Sequence, residues 1–171
     1  STQFTQCMTI GFISCDVEIP IQEMVKARTT IEKARQVNAE KHDPDNFNKA
    51  TEQLKASHDA AVNKKGSNAK KAAVESANFA ELAIKTSLPR ATDEALAEAK
   101  TLLKESEALN AEQFAPEKYG QTGAAIGETE KLREDQKMWD AYLKAREAVA
   151  AGNETKELCL AKVPALSENI E

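Results

Sequence analysis

The sequence predicts an all-α fold, built as two tandem three-helix units stacked into an elongated helical bundle or short solenoid. Three observations predict it. Alanine supplies 29 of the 171 residues, against six glycines, five prolines and 5% aromatics, a composition of helix formers with few turn residues. Apolar residues recur at steps of three and four from Gln22 onward, which is the period of one helix face. The pattern then returns under a shift of 72 in residue number, with Leu96 answering to Met24. Strands of a sandwich, a barrel or a nucleotide-binding α/β fold would need another composition. With 41% hydrophobic and 30% charged residues, the chain can bury a core.

Residues 1–20 differ from everything after them. They contain no alanine, lysine or arginine, but carry Phe4, Met8, Ile10, Phe12, Ile13, Val17 and Ile19. Two readings stand. Phe12-Ile13-Ser14-Cys15 looks like a lipoprotein cleavage box, which makes Cys15 the candidate lipid-attachment residue and the preceding segment a leader remnant. The other reading is a structural arm or edge strand, with one break in the alternation of Ile10, Phe12, Val17 and Ile19. No stretch reaches the roughly 18–20 apolar residues of a membrane-spanning helix.

Helical patterning then runs in order. Met24, Ala27, Ile31, Ala34 and Val37 stripe a first helix. Asp43 suits the N-cap of a second, and Pro44 its first position, where a missing N–H costs nothing. Phe47, Ala50, Leu54 and Ala61 stripe that helix, and Lys64 to Asn68 turns the chain. A third carries Ala69, Ala73, Ala77, Ala80 and Ile84 and is expected to stop at Ser87-Leu88-Pro89. Thr92-Asp93 is expected to cap a fourth.

There the pattern returns. Adding 72 brings Met24 to Leu96, Ala27 to Ala99, Ile31 to Leu103, Ala34 to Ser106 and Val37 to Leu109. Asn38-Ala39-Glu40 falls on Asn110-Ala111-Glu112, Pro44 on Pro116, Phe47 on Tyr119 and Leu54 on Ile126. The third helix of this copy holds Trp139, Tyr142, Leu143, Ala145 and Val149, with Gly152-Asn153 as its expected end and a shorter segment after it. The expected divisions are therefore residues 21–90 for the first unit, 91–152 for the second and 153–171 for a C-terminal helical segment, which is expected to continue past Glu171. One three-helix unit buries little surface alone, so two stacked copies make the more stable object.

The spacing of Ala27, Ile31, Ala34-Arg35, Asn38-Ala39, Pro44, Phe47, Ala50 and Leu54, echoed by Pro116, Tyr119 and Ile126, resembles an alanine-rich helical domain of bacterial envelope proteins. That family is a domain of unknown function, common in lipoproteins of Gram-negative bacteria and spirochaetes. The resemblance spans roughly residues 22–151. It implies a cell-envelope location, periplasmic or outer-membrane-associated, and a scaffold or spacer role; a protein or cell-wall partner and membrane attachment through a lipid anchor on Cys15 are expected beside it. It supplies no catalytic residue.

Sites for chemistry are few. Gly120, Gly123 and Gly127 share one helix face, with no strand before them and no Lys-Ser/Thr after, so they read as a place of close backbone approach and not a phosphate loop. His42 and His58 have no histidine or cysteine at helical spacing, and the three cysteines lack zinc-site spacing; no metal or cofactor is expected. Cys159 reads as a small buried apolar residue. Glu128/Lys131 and Glu130/Arg133 are expected to pair along their own helix. Lys64, Lys65, Lys70 and Lys71 form a candidate basic patch for anionic lipid or wall polymer. The net charge of −5 and the lack of interleaved aromatics argue against nucleic acid.

Tyr119, Trp139 and Tyr142 all lie in the second copy and, with the three glycines, form the candidate binding surface. The expectation is a non-enzymatic scaffold or interaction module of the cell envelope. Its alternative is a periplasmic carrier of a small ligand, with a groove near Tyr119 and Trp139.

Overall fold

The computed structural model describes residues 18–167, with side chains through Lys162. It is all-α, and no strand occurs among the described residues. The helices are α1 (Ile21–Gln36), α2 (Ala39–His42), α3 (Pro44–Val62), α4 (Gly66–Ala108), α5 (Ala111–Phe114), α6 (Pro116–Glu134) and α7 (Met138–Ser167).

Local chemistry sets the turns. Asp43 caps α3, its carboxylate accepting from the Asn46 backbone N–H at 3.3 Å and from the Asn46 side-chain amide at 2.9 Å, with Pro44 in the first turn. The chain bends at Asn38, Lys64, Asn110 and Gln136, each in left-handed backbone. After α3 the Lys65 N–H donates to the Ala60 carbonyl and Lys64 N–H to Ala61; after α6 Lys137 donates to Leu132 and Gln136 to Arg133. Both sets are the paired bonds that close a Schellman turn, which satisfies the orphan carbonyls of a helix end. Asn110 answers to Asn38 and Gln136 to Lys64 under the same shift, which also carries the bounds of α2 and α3 onto those of α5 and α6.

Two expected helix stops do not occur. The third and fourth helices are one, because α4 runs through Ser87-Leu88-Pro89 and Thr92-Asp93. Pro89 is exposed and so is Lys85, so the Lys85 carbonyl that loses its donor faces water. Ser87, Ala91 and Thr92 are buried beside it, and Thr92 Oγ1 donates to the Leu88 carbonyl at 2.8 Å. Burial on both flanks outweighs the local stop signal. Gly152-Asn153 likewise lies inside α7. A Cβ on Gly152 would stand 2.9 Å from the Leu102 Cβ, so this glycine lets α7 pass close to α4 rather than ending a helix. The expected divisions at 90/91 and 152/153 therefore fall within continuous helices.

Among the described residues, alanine outnumbers all other buried apolar residues combined. One cluster joins Ile31, Ala34, Phe47, Ala50, Ala80 and Ala83 from α1, α3 and the first half of α4. Another joins Ala95, Leu96, Ala99, Leu102, Ala125, Ile126, Ala145 and Val149 from the second half of α4, α6 and α7. Small residues let the axes approach toward the short end of the usual 8–10 Å range. The closeness shows in two buried serines: Ser57 Oγ donates to the Ala69 carbonyl, and Ser76 Oγ to that of Ala50, both at 2.7 Å across α3 and α4.

Candidate interaction surface

The start of α7 carries Trp139 and Tyr142 on one face, with ring centroids 5.9 Å apart. They do not line an open groove. Tyr142 is buried against Val37 and Ala91, with Ile84, Leu88 and Trp139 packed around them. Its hydroxyl donates to the Gln36 carbonyl at 2.6 Å. Gln36 is the last residue of α1, so its carbonyl has no partner within the helix. The aromatic pair thus forms a joint, closing one end of the α1–α3 layer with a residue of α7.

Tyr119 belongs to a different place. It packs with Ala111, Ala115 and Cys159, beside Leu109 and Phe114. Desolvation first, then the charges of Glu107 and Glu112, raise its phenol above the ordinary value. Tyr119 and Trp139, expected to share a groove, sit in separate clusters. Cys159 is fully buried, as its apolar neighbours suggest, and burial pushes its thiol up.

The glycines require a correction. A Cβ added at Gly120, Gly123 or Gly127 would meet nothing within 4 Å, so no neighbouring helix approaches these positions. Of the glycines in α6 and α7, the one in close contact is Gly152. The expected ion pairs along α6 also differ: Glu128 pairs with Lys144, Glu130 with Lys100 and Arg133 with Asp93, each across helices. Charges that face a neighbouring helix find the nearer opposite charge there.

Lys64, Lys65, Lys70 and Lys71 are all exposed at the α3–α4 turn. Lys70 is held by Glu23 at 3.0 Å, which lowers the Glu23 carboxyl and raises the Lys70 ammonium. His58 is exposed, in a shallow groove of about 370 Å³ between α1 and α3 whose apolar floor is Ile31 and Leu54. The His42 side chain is buried, with Nε2 3.3 Å from a Glu94 oxygen. Glu94 also accepts from Lys41 at 2.6 Å, and that bond, ahead of His42, holds its carboxyl below the usual range. Among the described residues no group of three potential ligands comes together for a metal, and no helix is long and apolar enough to cross a membrane. Cys15 lies outside the described residues.

Sequence reasoning does not single out Leu109 or Leu160. Leu160 is 48% exposed, and Leu109 is only half-buried. The signal lies in the shift of 72 in residue number, under which Leu109 answers to Val37 and Leu160 to Leu88. Comparison with protein-family models, with curated proteins and with solved structures returned no match.

Proposed function

We propose that the chain is a non-enzymatic helical scaffold that holds two interaction ends at a fixed separation. The observation that carries this reading is α4. It is 43 residues long, passes through both core clusters and spans about 65 Å at the usual helical rise. An element shared by two cores resists bending between them, since bending would open alanine contacts on both sides. The matched spacing of bends and helices supports reading the halves as copies of one unit. A cell-envelope location and lipid attachment at Cys15 belong to the same proposal and rest on the N-terminal residues and the family resemblance.

Spin labels at Asn68→Cys and Lys104→Cys, with Cys7, Cys15 and Cys159 replaced by alanine, test the scaffold directly. A single narrow distance of about 54 Å is expected from the helical rise. A broad or bimodal distribution would end the rigid-spacer reading. The mass of the mature protein tests the location, because a diacylglyceryl adduct on Cys15 is expected and an unmodified cysteine removes the anchor. A small-ligand carrier is the second reading, favoured only by the groove between α1 and α3, where Arg28, Lys55 and His58 rim the apolar floor.

A further inference from the structure

We infer that the end of the molecule around Leu109 and Leu160 docks another helical unit, one whose third helix begins with two aromatic residues three positions apart. The inference deepens the scaffold reading by naming the chemistry of a partner, and it rests on that reading.

The molecule already contains one such docking. At the joint, Val37 is fully buried, and Leu88 and Ala91 pack beside it, because Trp139 and Tyr142 cover them. The Tyr142 hydroxyl also satisfies the terminal carbonyl of α1. The internal repeat places the same register positions at the far end. Leu109 stands where Val37 stands and Leu160 where Leu88 stands, with Ala108, the last residue of α4, in the place of Gln36. Here the apolar side chains are open, Leu160 at 48% exposure, and no described residue outside the helix donates to the Ala108 carbonyl. Phe114 and Tyr119, both half-buried, extend the apolar area.

At the opposite end the matched positions are polar. Ser67 and Lys70 occupy the positions of Trp139 and Tyr142. Both are exposed, and Lys70 is bound to Glu23. The start of α4 therefore offers no aromatic pair, although Ile19 and Ile21 are exposed beside it. The far end, by contrast, keeps the register positions of a joint. A second copy of this chain cannot fill that end, since its aromatic pair is already spent in its own joint. The occupant is a unit with a free aromatic pair.

The test grafts that pair onto the polar end. A donor chain carries Ser67→Trp and Lys70→Tyr, and also Leu109→Glu and Leu160→Glu, so that it offers aromatics but has no open end. Sedimentation velocity of this donor mixed with the unmodified chain is expected to show a 1:1 heterodimer. The association is expected to weaken at least tenfold when the acceptor itself carries Leu109→Glu and Leu160→Glu. If the donor loses helicity, Ser67→Trp with Lys70→Tyr alone is read instead; head-to-tail joining should then give chains that lengthen with concentration. Folded proteins that do not associate overturn the inference. So does association indifferent to Leu109→Glu and Leu160→Glu. Neither result changes the label-to-label distance along α4, so the scaffold reading stands or falls separately.

Discussion

The two halves of the molecule follow the same spacing and use it for different ends. In the first half, Val37 is sealed beneath the Tyr142 ring, while in the second half Leu109 is half-open. Asp43 caps α3 with its carboxylate, whereas Ala115 at the matching place gives α6 no side-chain cap. Ala80 packs where the second half has Gly152, and Pro89 interrupts the hydrogen bonding of α4 where α7 has Ala161. The comparison teaches that one backbone plan tolerates different solutions at its caps and crossings, and that the same register position can be sealed in one half and open in the other. Substitutions at matched positions test this.

The largest effect is expected at the joint. Tyr142→Ala removes a buried ring and leaves the Gln36 carbonyl without its donor, a loss of about 3–4 kcal/mol. Lys70→Ala, at the matching position, loses only an exposed ion pair and is expected to change stability by less than about 0.5 kcal/mol. Urea denaturation midpoints of the two variants check the contrast. Equal midpoints would mean that the joint contributes no more than an ordinary surface position.

Next comes the crossing of α7 over α4. Gly152→Val would press two methyl groups into the space where even one Cβ comes within 2.9 Å of Leu102, and about 2–3 kcal/mol of destabilisation is expected from overpacking. Calorimetric melting should show it. An unchanged melting temperature would mean that α7 can move away from α4 without loss.

Pro89→Ala gives α4 the residue that α7 has at Ala161. The substitution restores an N–H for the Lys85 carbonyl and removes the ring from a helix interior, so a gain of about 2 kcal/mol is expected in the same denaturation assay. A loss instead would show that the proline ring makes contacts on α4 worth more than the hydrogen bond it removes.

These positions also show which parts of the architecture are legible in the sequence. The α1 stripe from Ala27 to Val37 and the Asp43-Pro44 start of α3 are readable because periodicity and capping are local signals that tertiary packing reinforces. Pro89 and Gly152 mislead because each is a local stop signal, while the opposing term, burial of Ser87, Ala91 and Thr92 or of Thr155 and Cys159, depends on helices distant in sequence. The candidate surface is legible only in part. Spacing correctly puts Trp139 and Tyr142 on one face, but periodicity alone does not say whether such a face meets solvent, a ligand or the other half of the chain. The glycines of α6 mislead for the same reason, since spacing places them on one face and cannot supply a neighbour.

The smallest effect separates the caps. Asp43→Ala makes the start of α3 resemble that of α6, and about 1 kcal/mol is expected to be lost at neutral pH. Its pH dependence distinguishes a charged cap from a merely polar one. The Asn46 side chain, ahead of the Asn46 backbone N–H, Thr86 and Arg90, holds the Asp43 carboxyl below its ordinary value, against the opposing effect of burial. A carboxyl depressed in the folded state adds stability that is fully present above its unfolded value near 4 and is lost as pH falls through the lower folded value. The stability gap between the parent and Asp43→Ala should therefore be constant from pH 7 to about 5 and shrink steadily below 4. Asp43→Asn keeps an acceptor for the Asn46 N–H but carries no charge, so its stability relative to Asp43→Ala should not vary with pH. If the parent and Asp43→Asn keep the same difference from Asp43→Ala at every pH, the cap works through its hydrogen bond alone, and its charge contributes nothing to the first half.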